Sequence, residues 1–490
     1  MRQTRPLPEL EASTGRALLA ELRRTLIGRG VCVPTQDGPK PFINLDNGAR
    51  TPTFGPIWDA FLRTCRQPDD AQQEMVREVK AVCAEALRAP PTMYDVLFTS
   101  NTTEAINLAA ESLGREPQGS VEPVILTTLL EHSSNDLPWR TVPGHSLLRL
   151  SVDHEGFVDL HELEKVLDEY NREGRHGKKR ITLVAVSGAS NVLGTCNDLA
   201  AIGQIVHRHG ARLLVDAAQL VAHRQVDMER WDLDSLAFSA HKVYAPFGCG
   251  VLVVKKGLLR FDPAELEAIR ASGEENAGGI AALGKALVLL QRIGMELIEG
   301  EERALTARAL NGLAHVPGLT VYGVKDPASP RFAQRLGVVA FNLKSPMPKR
   351  VADKLAMRGG IGVRHGCHCA HIIIKHLLDV GPSLERFQRV IQTLFPRLRF
   401  PGMVRLSFGI ENETHDVDEL ISTLTAVAAK RSGKALVSRG QVRQQMTELA
   451  EASARRVYSP PSTEWSELRA PQGFGQVAGP ASLAYRPPSA

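Results

Sequence analysis

A lysine closes an apolar run in SLAFSAHKVYAPFGCG, residues 235–250. Burying an ammonium is costly and depresses its pKa, and a depressed lysine forms Schiff bases. Lys242 is therefore the first candidate for chemistry. Ser239 and His241, just before it, can hydrogen-bond a neighbouring anion. In LLVDAAQLVAHR, Asp216 directly follows three apolar residues. A carboxylate there is costly unless a cation or donor meets it, and Gln219, three residues on, can reach the same side of a turn. Taken alone, Asp216 reads first as a helix N-cap. FTSNTTEAINL puts Ser-Asn-Thr-Thr, with Thr102 and Thr103, between an apolar strand and an amphipathic helix. Hydroxyls and free N–H groups at a helix N-terminus suit a phosphate. Alone, the same residues read first as a cap with Glu104 in the first turn. His132, in LLEHSSNDLPW, follows the strand-like VILTTL and can stack on a ring. A Schiff-base lysine, a phosphate cup and a buried carboxylate together describe a site for pyridoxal 5'-phosphate. The carboxylate would pair with the pyridine nitrogen and make the ring an electron sink.

The elements that must aim these groups are short and apolar. VILTTL (124–129), ITLVAVSG (181–188), RLLVDAA (212–218), SLAFSA (235–240) and GVLVVKK (250–256) read as buried strands. DLAAIGQIVHRHG (198–210) reads as a helix ending in a basic turn and a glycine. The alternation predicts an α/β fold with a mostly parallel sheet covered on both faces, whose ligands bind beyond the carboxyl ends of the strands. Residues 280–314 read as one or two helices. LTVYG (319–323), GVVAFNL (337–343) and the helical RVADKLAMRGG (350–360) suggest a second, smaller α+β domain. The expected organisation is a 1–40 N-terminal extension, a 41–300 cofactor-binding large domain and a 301–430 small domain. At 431–490 a helix precedes a Pro/Ser/Gly-rich tail expected to be disordered.

The bulk numbers narrow the function. A net charge of +5 over 490 residues, with no long Lys/Arg run, gives no reason to expect nucleic acid as a partner. No secretory leader and no membrane-spanning apolar run is visible, so a soluble cytoplasmic protein is expected. Seven scattered cysteines do not make a disulfide framework.

Taken in order, FINLDNGARTP, FTSNTTEAINL, EHSSNDLPW, SNVLGT, LLVDAAQLVAH, FSAHKVYAPFGCGVL, GVRHGCHCAH and VRLSFGIENETHDVDEL carry a resemblance. The chain is similar to class V aminotransferase-fold enzymes, and most similar to group II cysteine desulfurases and selenocysteine lyases, over roughly residues 41–425. The resemblance implies the type I fold of pyridoxal phosphate-dependent transferases, with a seven-stranded, mostly parallel sheet and a smaller α+β domain. It implies that Lys242 forms the Schiff base, that Asp216 pairs with the pyridine nitrogen, and that Gln219 and Asn191 lie near the ring hydroxyl. By the same carry-over His132 stacks on the ring and assists proton transfer, while Thr102, Thr103, Ser239 and His241 hold the phosphate. Arg405 matches the arginine that grips a substrate carboxylate, and Cys369 the nucleophilic cysteine, which acts as thiolate with Arg364, His365 and His368 nearby. The implied reaction turns L-cysteine into L-alanine and leaves a persulfide on Cys369, in a homodimer with a possible sulfur-acceptor protein. Selenocysteine is an equally open substrate. Another activity of the same fold, as epimerase, lyase or aminotransferase, is the alternative; Cys369 would then be incidental. A metal-binding role for His365, Cys367, His368, Cys369, His371 and His376 has weaker support, because C-x-C is not a usual zinc spacing, and no metal is expected. A non-catalytic protein that keeps the fold is disfavoured by the intact Lys242, Asp216, His132 and Arg405. The pattern departs from the family at Cys367, where group II desulfurases carry histidine, and at Glu274, where a threonine often reaches the partner subunit's phosphate.

Overall fold

The structure is a computed structural model that describes residues 13–117, 119–380, 402–429 and 436–458. The chain divides into two units, Met1–Leu436 and Val437–Ala490. In the first, seven strands form one sheet: β1 (Tyr94–Thr99), β2 (Glu122–Thr128), β3 (Ser146–Leu150), β4 (Lys179–Ser187), β5 (Arg212–Asp216), β6 (Ser235–Ser239) and β7 (Gly250–Lys255). Their order is β1-β7-β6-β5-β4-β2-β3. Only β7 runs against its neighbours; the other pairings are parallel. The mostly parallel α/β sheet predicted from the alternation is therefore present. Every residue of β6 is buried, as expected of a strand covered on both faces. The carboxyl ends of β1, β2, β4, β5 and β6 are Thr99, Thr128, Ser187, Asp216 and Ser239, and these ends deliver the site.

The covering helices form for local reasons. In Leu199–Arg208, the Asp198 side chain accepts the Ala201 N–H, Leu199, Ile202, Ile205 and Val206 are buried along one stripe, and Arg208 closes the last turn. Residues 280–314 resolve into two helices, Ala277–Ile293 and Met295–Ala314, because Gly294 sits between them at φ 92°.

A second sheet holds β8 (Leu319–Val321), β9 (Val338–Leu343), β10 (Arg364–Gly366) and β11 (Met403–Ser407) in the order β8-β9-β11-β10, all antiparallel. It has its own core around Phe341, Leu355, Leu406 and Leu420. Truncating fully buried Phe341 to alanine would cost about 3–5 kcal/mol. In the unit Val437–Ala490 the described part is a helix, Arg439–Tyr458, largely exposed along its length. The Pro/Ser/Gly-rich tail beyond it lies outside the described residues, as do residues 1–12 of the N-terminal extension. No helix among the described residues is long and apolar enough to cross a membrane.

Candidate active site

The lysine turn explains the sequence that carries it. After β6 a single 3-10 turn, Ala240–Lys242, lifts Lys242 off the sheet end. Thr51 braces it: its N–H and hydroxyl both donate to the His241 carbonyl, at 2.9 and 3.1 Å, and its hydroxyl accepts the Tyr244 N–H at 2.8 Å. Gly250, which opens β7, has no freedom to be anything else. A Cβ there would lie 2.5 Å from the backbone of Asn101, so the Ser-Asn-Thr-Thr loop can lie against the returning strand only over a glycine.

That loop caps the helix Thr102–Gly114, with the Asn101 side chain accepting the Glu104 N–H at 3.0 Å. The cap and the phosphate-cup readings are thus compatible. The hydroxyls at the helix start are knitted together. Ser239 Oγ accepts the Thr102 N–H at 2.7 Å and lies 2.6 Å from Thr102 Oγ1. Thr103 Oγ1 lies 2.7 Å from Ser134 Oγ, which in turn lies 2.9 Å from His132 Nδ1.

These residues line one cavity of about 770 Å³, open to solvent, together with Asn191, Asp216, His241, Lys242, Cys369 and Arg405. Ten of the eleven site residues singled out from the sequence therefore meet there. Gln219 does not line it; buried behind the wall, it donates from Nε2 to the Gly48 carbonyl at 2.7 Å. Burial sets the electrostatics. It lowers Lys242 to about 8, against the pull of Asp216, with Arg405 adding to the fall. It raises the carboxyl of Asp216, whose Oδ1 accepts the Ala218 N–H at 2.9 Å. His132 falls to about 4 through burial and the nearby Lys242 and Arg405, so it is neutral at physiological pH. His241 falls likewise to about 4, through burial and then Lys242.

Cys369 comes from the other sheet's end of the chain and is tied in place. Its carbonyl accepts the Ser133 N–H at 2.7 Å and the Ser133 hydroxyl at 2.8 Å, and the His368 carbonyl accepts Asn191 Nδ2 at 2.8 Å. Asn191 thus works on the cysteine turn. Cys369 is exposed at the cavity, near enough for its charge to act on Lys242 and Arg405. His368 is held near 3 by burial and so brings no charge to its neighbour. Arg405 is 2% exposed. Its Nη1 donates to the Asn191 carbonyl at 2.9 Å and its Nη2 to Asp46 at 2.8 Å, while its Nε finds no partner among the described residues.

Some participants were not read from the sequence. Asp46 holds Arg405 and also Arg364, whose Nε lies 2.9 Å away. Glu131, buried next to His132, accepts Thr128 Oγ1, Asn135 Nδ2 and Ser187 Oγ at 2.6–2.7 Å, and burial raises it to about 7. It stitches the ends of β2 and β4 beneath the His132 loop. No cluster of three or more His, Cys, Asp or Glu among the described residues is arranged to hold a metal ion.

A fold whose antiparallel seventh strand follows the lysine turn, with lysine, aspartate and a helix N-terminus around one polar cavity, matches a known family. The family model for aminotransferase class V matches residues 62–420, and the chain belongs to that family. A probable cysteine desulfurase of Halalkalibacterium halodurans is 35% identical over 352 residues, covering 67% of this chain and 77% of that protein. The cysteine desulfurase of Klebsiella pneumoniae is 33% identical over 384 residues, covering 73% and 82%. Among solved structures, a cysteine desulfurase of Thermococcus onnurineus superposes with a TM-score of 0.67 at 27% identity, covering 80% of this chain and 95% of that one. The protein is a cysteine desulfurase-like enzyme of the pyridoxal phosphate type I fold.

Proposed function

We propose that this enzyme holds pyridoxal 5'-phosphate and converts L-cysteine to L-alanine, taking the sulfur onto Cys369 as a persulfide. The observation that carries it is the placement of Cys369. A nucleophile on a tied turn opens into the same cavity as Lys242 and Asp216.

The residues present fit the cofactor. Asp216 is a buried carboxylate facing the cavity, its pKa pushed up by burial against the pull of Lys242, and a protonated pyridine nitrogen would give its charged form a direct partner. The first-turn N–H of Thr103 has no partner within its helix, and with the hydroxyls of Thr102, Thr103 and Ser239 and the imidazole of His241 it would hold the phosphate. When bound, the cofactor supplies an electron sink next to the substrate Cα.

The chain's own residues do the rest. Lys242, held near 8, would be a ready amine toward the cofactor aldehyde and, as a free amine, would take the substrate Cα proton. Neutral His132 covers the ring position and can pass a proton. Arg405 turns its buried guanidinium, with its unpartnered Nε, to the substrate carboxylate. The Cys369 thiolate attacks the substrate sulfur; the carbon–sulfur bond breaks, and its electron pair goes to the carbon that becomes the alanine methyl after protonation. Selenocysteine presents a carbon–selenium bond at the same position.

Further support bears on setting and assembly. All seven cysteines are free, as suits a reducing cytoplasm. Beside the lysine turn, Phe247 stacks on Phe61 at 4.7 Å and meets the 39%-exposed Trp58 at 5.7 Å; this aromatic cluster suits a second copy in a homodimer. The exposed position of Cys369 suits hand-over to a sulfur-acceptor protein. The test is to supply L-cysteine to wild type and Cys369→Ser and follow alanine, sulfide and protein-bound persulfide together. Alanine and persulfide in wild type, both lost in the variant, are expected. Equal turnover of an amino acid by both proteins would replace desulfuration with another class V activity.

A further inference from the structure

Cys367 has no part in the chemistry above, yet it shares one tight turn with Cys369. The Ala370 N–H donates to the Cys367 carbonyl at 2.8 Å, and the two residues between, His368 and Cys369, are both left-handed, at φ 50° and 53°. Positive φ at both central positions defines a type I′ turn, which Asn and Gly normally fill. A histidine and a cysteine held there are strained. The turn is nevertheless fixed: Ser133 and Asn191 hold its carbonyls, and His368 Nε2 bonds the Met403 carbonyl at 3.0 Å. Two peptide units separate the cysteine Cα atoms by at most roughly 7 Å when extended, and a turn is shorter. That ceiling lies near the top of the roughly 4.4–6.8 Å that a disulfide spans, so chain length does not forbid a Cys367–Cys369 bond. The two thiols differ in setting. Cys369 is exposed and Cys367 half-buried, with burial raising the Cys367 thiol against the pull of Lys375. A thiol kept protonated at rest leaves the substrate sulfur to Cys369.

We propose that Cys367 is a resolving thiol, which converts the Cys369 persulfide into a Cys367–Cys369 disulfide and free hydrosulfide. This rests on the desulfurase reading for the origin of the persulfide. The Cys367 thiol passes its proton to the outer sulfur of the ionised persulfide, and the resulting thiolate attacks Cys369 Sγ. The bond from Sγ to the sulfane sulfur breaks, and its electron pair leaves on hydrosulfide, a good leaving group. The S–S bond of Cys369 passes from the outer sulfur to Cys367: Cys367 Sγ is oxidised by one electron, the outer sulfur is reduced by one, and Cys369 Sγ keeps its oxidation state. Turnover then stops until an external dithiol reductant restores the two thiols. The enzyme thereby releases sulfide without an acceptor, once per reduction, and shuts itself off when reductant is scarce.

The persulfide is to be made in two ways, anaerobically and with no dithiol: from L-cysteine held stoichiometric with the holoenzyme, so that free thiol does not reduce the product, and by charging the protein with inorganic polysulfide. Alkylation and peptide mass mapping then read the 364–375 region. In wild type both routes are expected to give the Cys367–Cys369 disulfide, and the L-cysteine route about one sulfide per subunit, with turnover restored by dithiothreitol. Cys367→Ser and Cys367→Ala should make alanine in the first turnover but keep the persulfide on Cys369 and form no disulfide. A wild-type persulfide as durable as that of Cys367→Ser, by either route, overturns the proposal. Disulfide from polysulfide with no alanine from L-cysteine would instead leave Cys367 as proposed and remove the desulfurase reading.

Discussion

Replacing Asp216 with asparagine keeps the shape of a buried side chain and removes its charge. Lys242 stands at about 8 instead of 10.5 because burial disfavours its ammonium, and Asp216 opposes that fall. The gap raises the free-amine fraction at neutral pH by a factor of roughly 300. Without the carboxylate the ammonium loses its counter-charge, so Lys242 must lose its proton at lower pH still. Apoprotein of Asp216→Asn should therefore capture pyridoxal phosphate faster than wild type at about pH 6, and its loading midpoint should move to the acid side of about 8. Catalysis should go the other way. In the proposed reaction the pyridine nitrogen would lose the partner that keeps it charged, and alanine formation should fall on the order of 100-fold or more. Stopped-flow growth of the visible imine band against pH, followed by single-turnover alanine assays on the loaded proteins, separates the two effects. A loading midpoint unmoved or shifted to higher pH would show that Lys242 does not sense Asp216. Wild-type alanine rates in the variant would remove Asp216 from the reaction.

Arg405→Lys keeps the charge but cannot reach the Asn191 carbonyl, Asp46 and a substrate carboxylate together, so KM for L-cysteine should rise by about 10-fold or more, with the imine band unchanged. Cys369→Ser should retain the imine band and lose persulfide, since in the proposed reaction Lys242 binds the cofactor and the Cys369 thiol, which lines the same cavity, takes the sulfur. Glu302 is buried between His223 at 2.9 Å and Arg224 at 2.7 Å and is held down at about 2. Its folded pKa lies below the ordinary 4.5, so it contributes about 3 kcal/mol above pH 4.5 that is lost as the pH falls toward 2. Glu302→Gln should lower the urea midpoint at pH 7 and narrow its difference from wild type progressively below pH 4.5.

What the sequence revealed was local. Lys242, Asp216 and Thr102 each follow an apolar strand, and a charged or hydroxyl residue in that position is conspicuous in any reading of the chain. The convergence of these strand ends follows from a parallel sheet. Asp46 was invisible for the opposite reason: its partners Arg364 and Arg405 lie 318 and 359 residues away. Strand β3, SLLRL, was missed because it is a half-exposed edge without β-branched residues. The left-handed turn at His368 and Cys369 carries neither Asn nor Gly, so turn chemistry could not reveal it. The spacing from Asp216 and the family resemblance place Gln219 beside the ring hydroxyl; its Nε2 donates to the carbonyl of Gly48, which lines the cavity.

The segment from Ile43 to Thr51 is pinned from several sides: Leu45 to Gly362, Gly48 to Ser407, Asp46 to Arg405 and Thr51 to His241. An early-synthesised stretch thus waits for residues made more than three hundred positions later. During translation, a ribosome-bound chain halted before Arg405 emerges has its lysine but no finished pocket around it. Maturation with cofactor should accordingly belong to the released chain, and any truncation that removes β11 should leave a large domain unable to keep its vitamin.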